Sequence, residues 1–95
     1  MGTLHIVSCS PQSGETLNSL RRLLGKDDGI LLTGNGVYIG LQSGSGLAAP
    51  LYALRQDVMA RGLQSQWPES VVLVDHGGYV DLCIRHEKSL NWSDA

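Results

Sequence analysis

The chain has 95 residues, with 7 basic and 9 acidic side chains, a formal net charge of −2 and only 17% charged residues, against an average nearer about 25%. A domain of this size buries only about 60 to 65 per cent of its unfolded surface, so a sparsely charged exterior implies that another subunit covers part of it. Nucleic-acid binders gather Lys and Arg on one face and membrane spans need roughly 18 apolar residues in a row, so direct RNA binding by this chain alone and membrane insertion are both disfavoured.

The first element is a short strand around Leu4, Ile6 and Val7, which breaks at the turn-forming cluster Ser8-Cys9-Ser10-Pro11. From Ser13, a candidate N-cap, Leu17, Leu20 and Leu24 recur at helical spacing with Leu23 widening the stripe, Arg21 and Arg22 off it, and Gly25 placed to end the helix. Lys26-Asp27-Asp28-Gly29 is a turn, and Ile30-Leu31-Leu32-Thr33 is a second buried strand. Gly34-Asn35-Gly36 followed by Val37, Ile39 and Leu41 alternates with period two, which argues for a hairpin and a third strand, with a short helix as the competing reading. Gln42-Ser43-Gly44-Ser45-Gly46 reads as a flexible link, and Leu47-Ala48-Ala49 supplies a turn before Pro50.

Leu51-Tyr52-Ala53-Leu54 is then a strand, and Arg55 to Arg61 a short helix stopped by Gly62 at its C′ position. The run Val71-Val72-Leu73-Val74, with three β-branched members, is what a strand covered on both faces requires. Asp75 follows as an N-cap, Tyr79/Cys83 and Val80/Ile84 are spaced four apart, Asp81 and Arg85 make an acid-then-base pair, and helical spacing carries on to His86 and Trp92. Strands alternating with helices make a three-layer α/β/α sandwich over residues 1–95, with a mostly parallel sheet of four or five strands.

Few residues carry chemistry. Cys9 lies just past the carboxyl end of the first strand and before a helix, where ligands bind in open sheets and a thiol's pKa is lowered; it is the one candidate for a reactive thiol, weighed against an inert loop residue. Cys83 falls on an apolar stripe and reads as packing. His5, His76 and His86 lack the spacing of a metal site, the glycines fit no phosphate loop, Ser45 fits no nucleophile elbow, and Asp27-Asp28 is no acid–base pair. No cofactor or metal is implied. Trp67 and Trp92 read as anchors that either cap the core or insert into a partner. Two cysteines make no disulfide framework, Ile6 breaks the myristoylation pattern after Gly2, and no basic-then-apolar leader opens the chain, so the expected location is cytoplasmic.

Taken in order, Leu4-His5, Ser10-Pro11, the Leu-rich helix, Gly36-Val37-Tyr38, Tyr52-Ala53-Leu54 leading to Asp57, Ala60-Arg61-Gly62-Leu63, Val74-Asp75, Tyr79-Val80-Asp81-Leu82 and Trp92 resemble the DsrH/TusB family across nearly the whole chain. The resemblance implies a DsrE-like fold, a non-catalytic place in a sulfur-relay complex with TusC-like and TusD-like subunits, and support for 2-thiolation of the tRNA wobble uridine, the transferring cysteine belonging mainly to TusD. It also implies that Gly36 to Leu41 begins a short helix, and this is the reading followed here. The DsrH branch of sulfur oxidation carries a helix-one cysteine, and that position is Leu20 in this chain. Tyr38, Tyr79 and Trp92 are the interface candidates. Two alternatives stand beside this expectation: a persulfide carrier acting through Cys9 or a DsrH-like subunit of a DsrEFH complex, and a self-associating DsrE-like module that forms a homo-oligomer when isolated.

Overall fold

The computed structural model describes residues 2–8, 14–41 and 49–92. Among them, five strands, β1 (Thr3–Val7), β2 (Gly29–Leu32), β3 (Leu51–Leu54), β4 (Val71–Val74) and β5 (Lys88–Trp92), form one sheet in the order β4-β3-β2-β1-β5, every neighbouring pair parallel. Three α-helices, α1 (Gly14–Leu23), α2 (Arg55–Ala60) and α3 (His76–Arg85), alternate with them, along with a 3-10 helix over Gly34–Leu41 and a 3-10 turn at Gln64–Gln66.

Side-chain alternation along the strands divides the core in two. Val7, Ile30, Leu32, Ala53 and Val71 point to one face and pack with Leu20 of α1, Val37 and Ile39 of the 3-10 helix and Val58 of α2. Leu4, Ile6 and Leu31 point to the other and meet Leu82 of α3, flanked by Tyr52, Val74, Tyr79 and Cys83. The expected α/β/α sandwich is thus the observed one. The right-handed crossover rule explains the distribution: β1 to β4 step in one direction and keep their connections on one face, whereas the step from β4 back to β5 runs the other way and sends α3 behind the sheet.

Local chemistry sets the boundaries. Asp75 caps α3 by accepting from the Gly78 N–H at 2.8 Å, one of the amides a helix start leaves unpaired. Gly62 sits at φ +66 after α2, the left-handed stop that a side chain resists.

Four features depart from the sequence pattern. Residues 34–41 form no strand. They take a period of three, which turns Gly36/Ile39 and Val37/Gly40 inward and Asn35 and Tyr38 outward, so the helical expectation holds and the alternating one does not. Gly36 lies so close to β1 that a Cβ there would stand 2.1 Å from the Val7 carbonyl oxygen, and this approach seats the helix on the sheet. Second, the helical spacing to Trp92 does not persist: α3 ends at Arg85, and 88–92 become a fifth strand beside β1. Third, Leu23 does not widen the buried stripe of α1 but is 58% exposed.

Fourth, the all-aliphatic strand lies at the sheet's edge. β4 is an edge strand, with Val72 53% exposed, not a strand covered on both faces. The Ile30 N–H donates to the Pro50 carbonyl at 3.0 Å, which fixes the ladder's alternation: even residues of β3 turn to β2 and odd ones to β4. In β4 the odd residues therefore face outward. The outward groups of Val71 are taken, its N–H by the Pro68 carbonyl at 3.4 Å and its carbonyl by Trp67 Nε1 at 2.9 Å. Leu73 presents the outward N–H and C=O that remain.

Candidate functional site

In open α/β sheets ligands gather at the carboxyl edge where neighbouring connections leave to opposite faces. Here that place lies between β3, which continues into α2 on one face, and β4, which continues into α3 on the other. A cleft of about 240 Å³ occupies it, lined by Leu54, Arg55, Gln56 and Met59 on one side and Val74, Asp75 and His76 on the other. Its walls are mixed. Met59 is exposed, the Asp75 carboxylate is engaged by the start of α3, and the His76 ring stands edge-on to Tyr79 with centroids 6.1 Å apart. The cleft holds no nucleophile, and among the described residues no three His, Cys, Asp or Glu side chains group as metal ligands.

A second polar cluster lies inside the sheet. His5, set between Leu4 and Ile6 in β1, is 1% exposed, and its Nε2 stands 2.8 Å from Asp28 Oδ2. Trp92 Nε1 donates to His5 Nδ1 at 3.1 Å. An indole N–H can only donate, so Nδ1 is the acceptor and Nε2 carries the proton given to Asp28. Asp28 also accepts from Thr3 N and Gly25 N, both at 2.8 Å. Burial alone would push its carboxyl up; the two backbone N–H groups, then the His5 ring, outweigh that and lower it from 3.8 to about 2. The chain joins β5 to β1 and to the turn before β2. The Ser8 N–H and hydroxyl add two more bonds, at 2.9 and 3.1 Å, to the Trp92 carbonyl.

Of the residues singled out from sequence, Cys9 lies outside the described residues. Tyr38 stands outward on the 3-10 helix, 37% exposed. Tyr79 is half-buried, packed against the α3 side of the sheet beside Cys83. Trp92 is half-buried against the opposite core with its indole nitrogen bonded to His5. Trp67 lies over Gly40 and packs against the core on the α1 side of the sheet. Leu20, at the position of the DsrH-branch cysteine, is fully buried. These residues do not converge on one point.

Sequence reading missed the His5–Asp28–Trp92 chain, and it missed that Asp57 and Arg61 are clamps: Asp57 Oδ2 accepts from Gly34 N at 2.9 Å, where φ is +52, and Arg61 reaches Asn35 Oδ1 at 3.2 Å. The available signal was a histidine amid aliphatics and a second acid abutting a strand. Among the described residues no helix is long and apolar enough to cross a membrane.

Comparison with known proteins places this geometry in a family. The solution NMR structure of protein Tm0979 from Thermotoga maritima superposes with a TM-score of 0.66 at 28% identity, covering 86% of this chain and 91% of that one. The crystal structure of the ychN protein from E. coli gives 0.71 over 97% and 100%, but at 16% identity it is a likeness of fold alone. Protein TusB of Pectobacterium carotovorum subsp. carotovorum (strain PC1) is 40% identical over 95 residues, 94% of this chain and 99% of that protein. Protein TusB of Yersinia pestis (strain Pestoides F) is 37% identical with the same coverage. A model of the DsrH-like proteins matches residues 9–89, and with so much of the sequence matched the chain belongs to the DsrH-like protein family.

Proposed function

We propose that this chain is a single-domain, non-catalytic subunit of a cytoplasmic sulfur-relay complex of the TusBCD kind, held by TusC-like and TusD-like subunits and supporting 2-thiolation of the tRNA wobble uridine. The observation that carries it is the near end-to-end likeness, at 40% identity, to a protein named TusB. The surface supports an assembly role: Val80 and Ile84 of α3, Leu23 of α1 and Tyr38 all stand exposed, more apolar surface than so lightly charged a chain needs if it works alone. The chemistry points the same way, because a buried leucine occupies the helix-one position and Cys83 is half-buried against the sheet.

The test is genetic and biochemical together. Deleting the chain should abolish 2-thiouridine at the wobble position, and a copy with both Cys9→Ser and Cys83→Ser should restore it and co-purify with TusC-like and TusD-like subunits. Full thiolation without the chain, or a requirement for either thiol, would overturn the reading, the latter by moving the role to a persulfide carrier.

A further inference from the structure

The buried His5 ring sits between a group that can only donate a hydrogen bond, the Trp92 indole, and one that can only accept, the ionised Asp28 carboxylate. We propose that this ring is a proton-operated latch on β5: the neutral ring holds the Trp92 indole, and a second proton releases it and loosens the strand. The latch is independent of the relay reading.

The direction of the two bonds makes the device. A ring that takes a second proton has no lone pair left on Nδ1, so two N–H groups then face each other where the 3.1 Å bond stood. One of them must move, and His5 is the better held. It is 1% exposed with a strand on each side, and as an imidazolium it gains a charge-assisted bond to a carboxylate already fixed by Thr3 N and Gly25 N. Trp92 is half-buried, on an edge strand whose other four residues are exposed, so the indole yields. Asp28 keeps its charge throughout, with its carboxyl lowered to about 2.

Asp28 is the charged group bonded to the ring. The other charges near it come from the start of β5, Glu87 and Lys88, from the last turn of α1, Arg21 and Arg22, and from the turn that follows, Lys26 and Asp27. All of these are exposed, where water and salt screen them. The remaining histidines do not share the device. His86 lies across the sheet against Gly29 and gives its Nδ1 hydrogen to the Leu82 carbonyl at 2.7 Å, so a proton added at Nε2 breaks no bond. His76 stands in the cleft beside β4, at the opposite edge.

NMR of the isotope-labelled full-length chain tests the latch, following the indole N–H signals, the His5 ring and backbone amide protection from about pH 8 to about pH 5, the window in which imidazole changes charge. The two indoles report separately, because Trp92 is bonded to a ring that titrates and Trp67 to the Val71 carbonyl, which does not. The Trp92 signal should move in step with the charging of His5, and protection at residues 88–92 should fall about tenfold, while the Trp67 signal and residues 71–74 hold. Trp92→Phe should show the weakened protection already at the alkaline end and no further fall. His5→Gln, whose amide takes up no proton in this window, should show a level protection profile. A Trp92 signal indifferent to the charging of His5, a fall shared equally by the Trp67 indole and β4, or a fall that persists in either variant would overturn the latch while leaving the relay reading standing.

Discussion

The two edges of the sheet are held by opposite means. β4 is wholly aliphatic, and Val71 is buried in the core with its outward backbone groups covered by Trp67 and Pro68. β5 buries almost nothing: Lys88, Ser89, Leu90 and Asn91 are all exposed, and only Trp92 is half-buried. What keeps β5 in place is the hydrogen-bond chain through His5 to Asp28 and the pair of bonds from Ser8. An edge strand can thus be secured by packing or by a buried polar anchor, and only the first leaves a mark in hydropathy.

If that contrast is right, the largest loss of stability comes from the anchor. Asp28→Ala leaves the buried His5 ring without its acceptor, and a buried unsatisfied donor costs about 1 to 3 kcal/mol; Thr3 N and Gly25 N, only part-buried, lose a charged acceptor that water can replace, so urea unfolding should show a loss of about 2 to 3 kcal/mol, and a loss below about 1 kcal/mol would remove the anchor from the account.

The same group predicts an acid limit. The native Asp28 carboxyl lies near 2, below its ordinary 3.8, so the folded state binds the proton more weakly than the unfolded one. Its stabilisation is complete above about pH 4 and disappears as pH falls through about 2. The unfolding midpoint of wild type should therefore drop across that window, and Asp28→Asn should lose that part of the slope; parallel curves would contradict it.

Trp92→Phe keeps the ring packing but strips His5 Nδ1 of its donor. We expect a loss of about 1 to 2 kcal/mol and faster amide exchange at residues 88–92, with β4 unaffected. Equal acceleration on both edges would erase the distinction. Trp67→Phe is the mirror test: it uncovers the Val71 carbonyl, which water can reach at the edge, so about 1 kcal/mol is expected with exchange rising at 71–74. The smallest effect belongs to Arg85→Ala. Its pair with Asp81 measures 3.0 Å but both side chains are more than half exposed, and such pairs are worth about 0.3 to 0.5 kcal/mol.

The contrast also explains what could be read from the chain. Val71–Val74 and Ile30–Leu32 were legible as strands because apolar runs announce themselves, and Asp75 and Gly62 were legible because capping is local. The position of β4 was not legible, since an aliphatic strand looks alike in the middle of a sheet and at an edge that a loop partly covers. β5 was hidden because its residues bury so little, and the alternation at 37–41 misled because a period of three also buries Val37 and Ile39. The polar anchor joins residues 23 and 87 positions apart, a proximity that exists only after β1 has found both neighbours.

That last point bears on how the molecule assembles. β1 pairs on one side with β2 and on the other with β5, from the far end of the chain. During synthesis the four earlier strands can associate while the outer flank of β1 still waits for its neighbour, and His5 has its carboxylate but not its indole. Closure by β5 is then the last event, governed by a long loop and not by local propensity, and the interval before it is when a nascent chain on the ribosome is most open to capture by a chaperone or by another strand.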